Sequence, residues 1–146
     1  MPCCAMPRPL HILLADDSLP DRLLAEVAFD SQDVPVHVTY CEDGLAVLET
    51  LLAAGAVRPD VVVLDLNMPR MDGHETLRSI RAHPDLRHYP VAILTSSASD
   101  ADVTQAYAHF ASLYMIKEID LGRFTEQIGA FVAFYSQCRF ESAATT

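Results

Sequence analysis

The sequence lacks the features of membrane, secreted and nucleic-acid-binding proteins. No apolar run approaches the roughly 20 residues that a bilayer-spanning helix needs. The first residues, MPCCAMPRP, contain no long apolar segment of the kind found in secretory signals. Lys and Arg total 10 against 20 acidic residues and form no cluster, so phosphate backbones of nucleic acids are not expected partners. We therefore expect a cytoplasmic protein that acts neither at a membrane nor on nucleic acid.

The few cysteines do not indicate a metal centre. Cys3, Cys4, Cys41 and Cys138 contain no CxxC pair, and no histidine is placed to complete a zinc set. We interpret them as free thiols in a reducing compartment.

The chain has the length and apolar content of one globular domain. It has 146 residues, 51% of them hydrophobic, and a mean hydropathy of +0.18. Strand-like segments alternate five times with segments of helical spacing, and the third strand, VVVLD, is almost wholly apolar, as a parallel strand covered on both faces would be. The pattern predicts an α/β fold, with five helices around a doubly wound sheet of five parallel strands in the order 2-1-3-4-5.

The alternation of predicted strands and helices also sets the expected domain boundaries. We predict a disordered lead-in at residues 1–9, one domain at 10–136 and a fraying tail at 137–146. The roughly ten residues after the last helix are too few for an output domain, so we expect the output to be a surface. In the first helix the residues at helical spacing are Leu23, Leu24, Val27 and Ala28. In the fifth helix the residues predicted to face the sheet are Leu121, Phe124, Ile128, Phe131, Val132 and Tyr135.

The fifth helix has a wider apolar band than one face requires, because Ala130, Ala133 and Phe134 extend it. Extra aromatic surface on a small domain indicates a partner. We therefore expect this helix and the tail to contribute to a symmetric dimer.

Polar residues stand at the carboxyl ends of four predicted strands, and in open parallel sheets ligands bind at this edge. They are Asp16 and Asp17 after the first strand, Asp65 after the third, Thr95 and Ser96 at the end of the fourth, and Lys117 after the fifth.

The three carboxylates at this edge would repel one another unless a cation neutralised them. Mg²⁺, with Mn²⁺ as an alternative, prefers oxygen ligands and suits such a set. Asp17 and Asp65 can supply direct oxygens, Asp16 can act directly or through water, and the backbone carbonyl of Asn67 can complete the set.

The remaining two side chains suit a phosphoryl group. Lys117 can pair with Asp65 or with a phosphoryl oxygen, and the Thr95 hydroxyl can donate to the same group. Each residue alone has an ordinary structural role, but their joint occurrence at four strand ends describes an aspartyl-phosphate site.

The motifs Asp16-Asp17, LDLNMPRMDG, LTSS and the lysine of YMIK resemble the receiver domain of two-component response regulators, over roughly His11 to Ser136. The resemblance implies that Asp65 is the phosphoacceptor for a partner kinase's phosphohistidine. It implies a protein that is not an enzyme in the ordinary sense but supports its own Mg²⁺-dependent phosphotransfer and autodephosphorylation. Receivers commonly have proline after the lysine, whereas Glu118 stands here, so we expect either a trans bond or strain after Lys117.

The resemblance also implies that Thr95 and Tyr114 are a switch pair, with Ser96 beside them at the phosphoryl group. A phosphoryl group on Asp65 would draw the Thr95 hydroxyl inward, and the Tyr114 ring would turn into the vacated space. The face formed by the fourth helix, fifth strand and fifth helix would then change. Asn67 and Ser97 flank the expected approach of the hydrolytic water and would tune the lifetime of the phosphoryl group.

A narrower resemblance rests on LDLNMPRMDGHE, RAHPDLRHYPVAILTSS and the run through YMIKEIDLGRF. These segments are similar to the small stand-alone receivers paired with phytochrome-type histidine kinases. The resemblance implies a bacteriophytochrome as kinase, a homodimer and an effector protein of unknown identity.

Three other functions share part of this pattern. A receiver can serve as a phosphate sink for its kinase instead of relaying a signal. A phosphatase of the haloacid dehalogenase type would need a second aspartate as general acid where Asn67 stands. A flavodoxin-like electron carrier would need a Ser/Thr/Gly-rich phosphate loop where the acidic DDSLPD stands.

Overall fold

In a computed structural model, which describes residues 8–55 and 58–137, five strands alternate with five helices. The strands are β1 (Leu10–Ala15), β2 (Val36–Cys41), β3 (Val61–Leu64), β4 (Val91–Thr95) and β5 (Leu113–Ile116). The helices are α1 (Leu19–Asp30), α2 (Gly44–Leu52), α3 (Gly73–Ala82), α4 (Asp100–Ala108) and α5 (Leu121–Gln137). All strand pairs are parallel, in the order β2-β1-β3-β4-β5, which confirms the predicted topology.

The core lies on both faces of the sheet. Residues of α1 and α5 pack on one face, and residues of α2, α3 and α4 pack on the other. Because both faces are covered, β3 and β4 are buried along their whole length, as their continuous apolar sequence predicts. Within the two described ranges, no helix has the length and apolar content needed to cross a bilayer.

Most helices begin at side-chain caps that the sequence supplies. Ser18 caps α1, Asp43 caps α2 and Ser99 caps α4, each by accepting a hydrogen bond from a backbone N–H in the first turn. At α3, Asp72 and Glu75 form a capping box. Ser18, Asp43 and Ser99 follow the ends of β1, β2 and β4 within a few residues, so these caps fix the short loops at the carboxyl edge of the sheet.

Of the four apolar residues predicted to form one face of α1, only Ala28 is buried. Leu23, Leu24 and Val27 are exposed, whereas Ala25, Ala28 and Phe29 are buried. The small alanines let α1 lie close to the sheet and to α5, and this close packing turns the larger aliphatic side chains outward. Leu121, predicted to face the sheet from α5, is also half exposed.

Several sequence predictions lie outside the described residues. These are most of the lead-in, at residues 1–7, nearly all of the tail, at 138–146, and three of the cysteines, Cys3, Cys4 and Cys138. The remaining cysteine, Cys41, is a buried free thiol.

Candidate functional site

The backbone at the carboxyl edge of the sheet extends the parallel ladder one residue beyond the strands. The amide of Asp16 donates to Cys41 O at 3.0 Å, and that of Asp65 donates to Ala15 O at 3.0 Å. The amide of Lys117 donates to Thr95 O at 2.8 Å. The sheet therefore fixes the positions from which these three side chains project.

Three carboxylates converge at this edge. One oxygen from each of Asp16, Asp21 and Asp65 lies within 4.8 Å of the others. Lys117 Nζ donates to all three, at 2.7 Å to Asp16, 2.9 Å to Asp21 and 3.2 Å to Asp65. Asp16 and Asp65 are buried and Asp21 is partly exposed. One ammonium thus partly neutralises three carboxylates, which confirms the predicted convergence of Asp16, Asp65 and Lys117.

The electrostatics of the site favour a further cation. Burial, with the nearby charge of Asp65, raises the pKa of Asp16 despite its hydrogen bond to Lys117. Burial alone would lower the pKa of Lys117, but its bonds to Asp16 and Asp21 and the charge of Asp65 outweigh burial and raise it. Lys117 therefore stays charged, but its ammonium does not fully compensate the negative charge of the buried Asp16 carboxylate.

The loops around this cluster place two predicted ligands at its margin. Asp17 is exposed and does not belong to the set of carboxylates within 4.8 Å among the described residues. Asn67 is exposed, and its amide donates to Asp65 Oδ1 at 3.3 Å.

Sequence reasoning missed Asp21. This residue lies in the first turn of α1, where its amide donates to the N-cap Ser18 at 3.3 Å. Acids in a first helical turn are common because they complement the helix dipole, so its spacing carried no distinct signal. The acidity of DDSLPD was visible, but only the fold shows that Asp21 reaches Lys117.

The predicted switch residues meet at Ser97. Thr95 is fully buried, and its hydroxyl oxygen accepts from the Ser97 amide at 3.4 Å. The Tyr114 hydroxyl donates to Ser97 O at 2.9 Å, and Tyr107 OH accepts from the Tyr114 amide at 3.0 Å. Ser96 is exposed between them. The β4–α4 loop therefore contacts both members of the pair.

The loop after Asp65 is held from two sides. A Cβ at Gly73 would collide with the carbonyl oxygen of Asp65, so only glycine allows α3 to begin this close to β3. Arg70, at φ 64°, donates from Nε and Nη2 to Asp43 Oδ2 at 2.8 and 2.5 Å, which ties the loop to the start of α2.

The bond between Lys117 and Glu118 is trans, since the described residues contain no cis peptide bond. The Glu118 amide donates to Gln127 Oε1 at 3.2 Å, and this bond ties the β5–α5 loop to α5.

The fold and the site together define a doubly wound parallel α/β protein with a buried aspartate, accessory carboxylates and a lysine at the carboxyl edge of its sheet. The chain belongs to the response regulator receiver family, because the family model of the response regulator receiver domain matches residues 12–129.

Two relatives are similar to this chain over most of their own length. The probable methanogenesis regulatory protein FilR2 of Methanothrix harundinacea is 36% identical over 126 residues, covering 82% of this chain and 81% of FilR2. The response regulator Rcp1 of Synechocystis is 31% identical over 131 residues, covering 87% of this chain and 89% of Rcp1.

Two solved structures have the same fold. That of the phosphorylated cyanobacterial phytochrome response regulator RcpA superposes with a TM-score of 0.84 at 28% identity, covering 91% of this chain and 98% of RcpA. The Mn²⁺-bound form of Rcp1 superposes with a TM-score of 0.79, covering 87% of this chain and 94% of that one. The similarity thus includes phytochrome response regulators as well as the family as a whole.

Proposed function

We propose that this protein accepts a phosphoryl group on Asp65 from a histidine kinase and signals through the face formed by α4, β5 and α5. The observation that carries this proposal is the position of Lys117, whose ammonium reaches Asp65 at 3.2 Å while two other carboxylates share it. A lysine in this position can pair with the new charge when Asp65 gains a phosphoryl group.

In the proposed step an oxygen of Asp65 attacks the phosphorus of the kinase's phosphohistidine. The P–N bond breaks, an acyl phosphate P–O bond forms, and the histidine is released. Lys117 stabilises the added negative charge, and Thr95, at the end of β4, supplies a hydroxyl at the same edge. Ser96, an exposed residue beside Thr95, is the proposed second contact for the phosphoryl oxygens.

The residues present fit the divalent cation that the family implies. Mg²⁺ takes oxygen ligands, and the carboxylates of Asp16 and Asp65 are buried at one point with incomplete neutralisation. We propose Asp16, Asp17, Asp65 and the Asn67 backbone oxygen as its ligands, with Mn²⁺ as an alternative ion. When bound, the cation neutralises charge on the transferring phosphoryl group.

For the output we propose that the loop from Thr95 to Ser97 moves toward the phosphoryl group and releases Tyr114. The Tyr114 hydroxyl now contacts Ser97 O, so movement of this loop changes the surroundings of the ring directly. Two exposed aromatic residues, Phe110 two residues after α4 and Phe134 on α5, lie in the segments that flank β5. We propose this surface as the contact for an effector or a second copy of the chain.

The kinase partner we propose is a bacteriophytochrome, since RcpA is described as a phytochrome response regulator. A homodimer is the proposed assembly. Sedimentation before and after phosphorylation checks this, and a monomer mass at micromolar concentration in both states would remove the dimer from the proposal.

The decisive experiment measures acid-labile phosphorylation by acetyl phosphate and by a panel of histidine kinases, including a light-sensing one, in the presence of Mg²⁺. We expect Asp65→Asn to abolish incorporation, while Asp60→Asn, at the opposite edge of the sheet, leaves it intact. Undiminished phosphorylation of the Asp65→Asn variant at another aspartate would refute the assignment. Capture of an effector only by the phosphorylated form supports a relay, whereas drainage of the kinase without an effector indicates a phosphate sink.

A further inference from the structure

A chain of hydrogen bonds outside the carboxylate cluster links Ser97 to α3 and α4. The Ser97 hydroxyl donates to Asp102 Oδ2 at 2.6 Å, and Asp102 Oδ1 lies 3.1 Å from His74 Nε2. His74 is the second residue of α3, and Asp102 is the third residue of α4. We call Ser97, Asp102 and His74 the serine clasp.

The direction of each bond in the serine clasp follows from the chemistry of its members. The ionised carboxylate of Asp102 only accepts, so both Ser97 Oγ and His74 Nε2 must carry the hydrogens. The bonds from Ser97 and from His74 lower the pKa of Asp102, which keeps it ionised at neutral pH. A hydroxyl carries a single hydrogen, so Ser97 cannot donate to anything else while the clasp is closed.

Every polar group of Ser97 is engaged. Its amide donates to Thr95 Oγ1 at 3.4 Å, its carbonyl accepts from Tyr114 at 2.9 Å, and its hydroxyl oxygen accepts from the Ser99 amide at 3.3 Å. Ser97 is therefore held by residues of β4, β5 and the β4–α4 loop, and the serine clasp adds α4 and, through it, α3.

We propose that Asp102 and His74 are positioning residues that keep the Ser97 hydroxyl turned toward α4 and so slow hydrolysis of phosphorylated Asp65. This inference rests on the proposed function. Hydrolysis transfers the phosphoryl group from Asp65 to water, breaking the acyl P–O bond and releasing inorganic phosphate. A Ser97 side chain released from Asp102 can rotate its hydroxyl toward the attacking water and orient it, whereas the bond to Asp102 holds the hydroxyl oxygen toward α4.

The test is a double-mutant cycle on the rate of phosphoryl loss from the purified phosphorylated protein. We expect Asp102→Ala to accelerate loss by about three- to tenfold, the scale of one side-chain hydrogen bond, and His74→Ala to do so by a smaller factor. In a Ser97→Ala background, Asp102→Ala should have no further effect, because the hydroxyl that it would release is absent. Asp102→Asn keeps an acceptor for Ser97 and should restore the parent rate.

The matched control is Asp100→Ala. Asp100 carries the same charge in the same turn of α4, but it is exposed, and its carboxylate makes no hydrogen bond with any residue in 8–55 or 58–137. An unchanged rate in Asp102→Ala, an acceleration that persists without the Ser97 hydroxyl, or an equal acceleration in Asp100→Ala would overturn the proposal.

A second measurement does not depend on phosphorylation. In the unphosphorylated protein, Asp102→Ala should speed hydrogen exchange at the Ser97 and Ser99 amides about tenfold, and Asp100→Ala should not. Unchanged exchange would show that the serine clasp does not hold the loop. A parent protein that takes up no phosphoryl group but shows this exchange difference would refute the proposed function while leaving the clasp itself established.

Discussion

Lys117 and Asp16 form a closer ion pair than Lys117 and Asp65, at 2.7 Å against 3.2 Å. In the unphosphorylated protein the lysine is therefore held mainly by the carboxylates at the end of β1 and the start of α1, with Asp65 at the edge of its reach. Lys117 is also the only lysine of the sequence, so no other ammonium can replace it.

Replacing Lys117 should destabilise the protein when no divalent cation is present. Lys117→Gln leaves Asp16, Asp21 and Asp65 close together without a counter-charge, and we expect the free energy of unfolding to fall by about 2 kcal/mol. Added Mg²⁺ should recover part of this loss. Urea denaturation with and without Mg²⁺ measures both effects. Arg123→Gln, which removes an exposed positive charge near the start of α5, should change stability little.

The raised pKa of Asp16 predicts a specific pH dependence of stability in metal-free buffer. The folded state holds the Asp16 proton more tightly than the unfolded state, whose pKa is near 3.8. The stability that the Asp16 carboxyl contributes is therefore fully present below pH 3.8. It is lost as the pH rises through the raised pKa that Asp16 has in the folded state. Asp16→Asn should therefore be more stable than the parent at neutral pH, and the difference should shrink as the solution is acidified. A difference that grows on acidification would contradict the assignment.

Metal binding separates the roles of Asp17 and Asp21. Asp21 already bonds Lys117, whereas Asp17 is exposed and makes no side-chain hydrogen bond within residues 8–55 and 58–137. Asp17 can therefore turn to a cation without losing a partner. We expect Asp17→Asn to weaken Mn²⁺ binding about tenfold and Asp21→Asn to weaken it less, as followed by calorimetry. The reverse order would make Asp21 the ligand.

Tyr114→Phe tests the contact between the switch aromatic and Ser97. The variant leaves the Ser97 carbonyl without the hydroxyl donor that it has now, and we expect a stability loss of about 1 kcal/mol. The ring of the variant is already released from the loop before phosphorylation, so phosphorylation should shift the backbone amide resonances of β5 less in the variant than in the parent. Tyr40→Phe, on the far edge strand β2, serves as the control and should leave these shifts unchanged. Equal shifts in parent and Tyr114→Phe would argue against coupling through Ser97.

Much of the fold was predictable because the hydrophobic pattern of each segment agrees with the topology of the sheet. The apolar run of β3 requires cover on both faces, and strict alternation of strands and helices requires parallel crossovers. The buried face of α1 was not predictable in this way, since Leu23 and Val27 have the same helical spacing as a core stripe. Packing against the sheet and α5 buries Ala28 of that stripe together with Ala25 and Phe29, and leaves Leu23 and Val27 exposed.

The sequence by itself determined which residues end the strands. Because parallel strands place their carboxyl ends on one edge, it also determined that Asp16, Asp65 and Lys117 would meet. Only the tertiary structure decided which other side chains join them, since Asp21 reaches Lys117 across 96 residues of sequence. His74 likewise reaches Asp102 from a different helix. Strand ends are aligned by backbone hydrogen bonds that any sequence of this topology makes, whereas contacts between helices depend on how closely each helix packs.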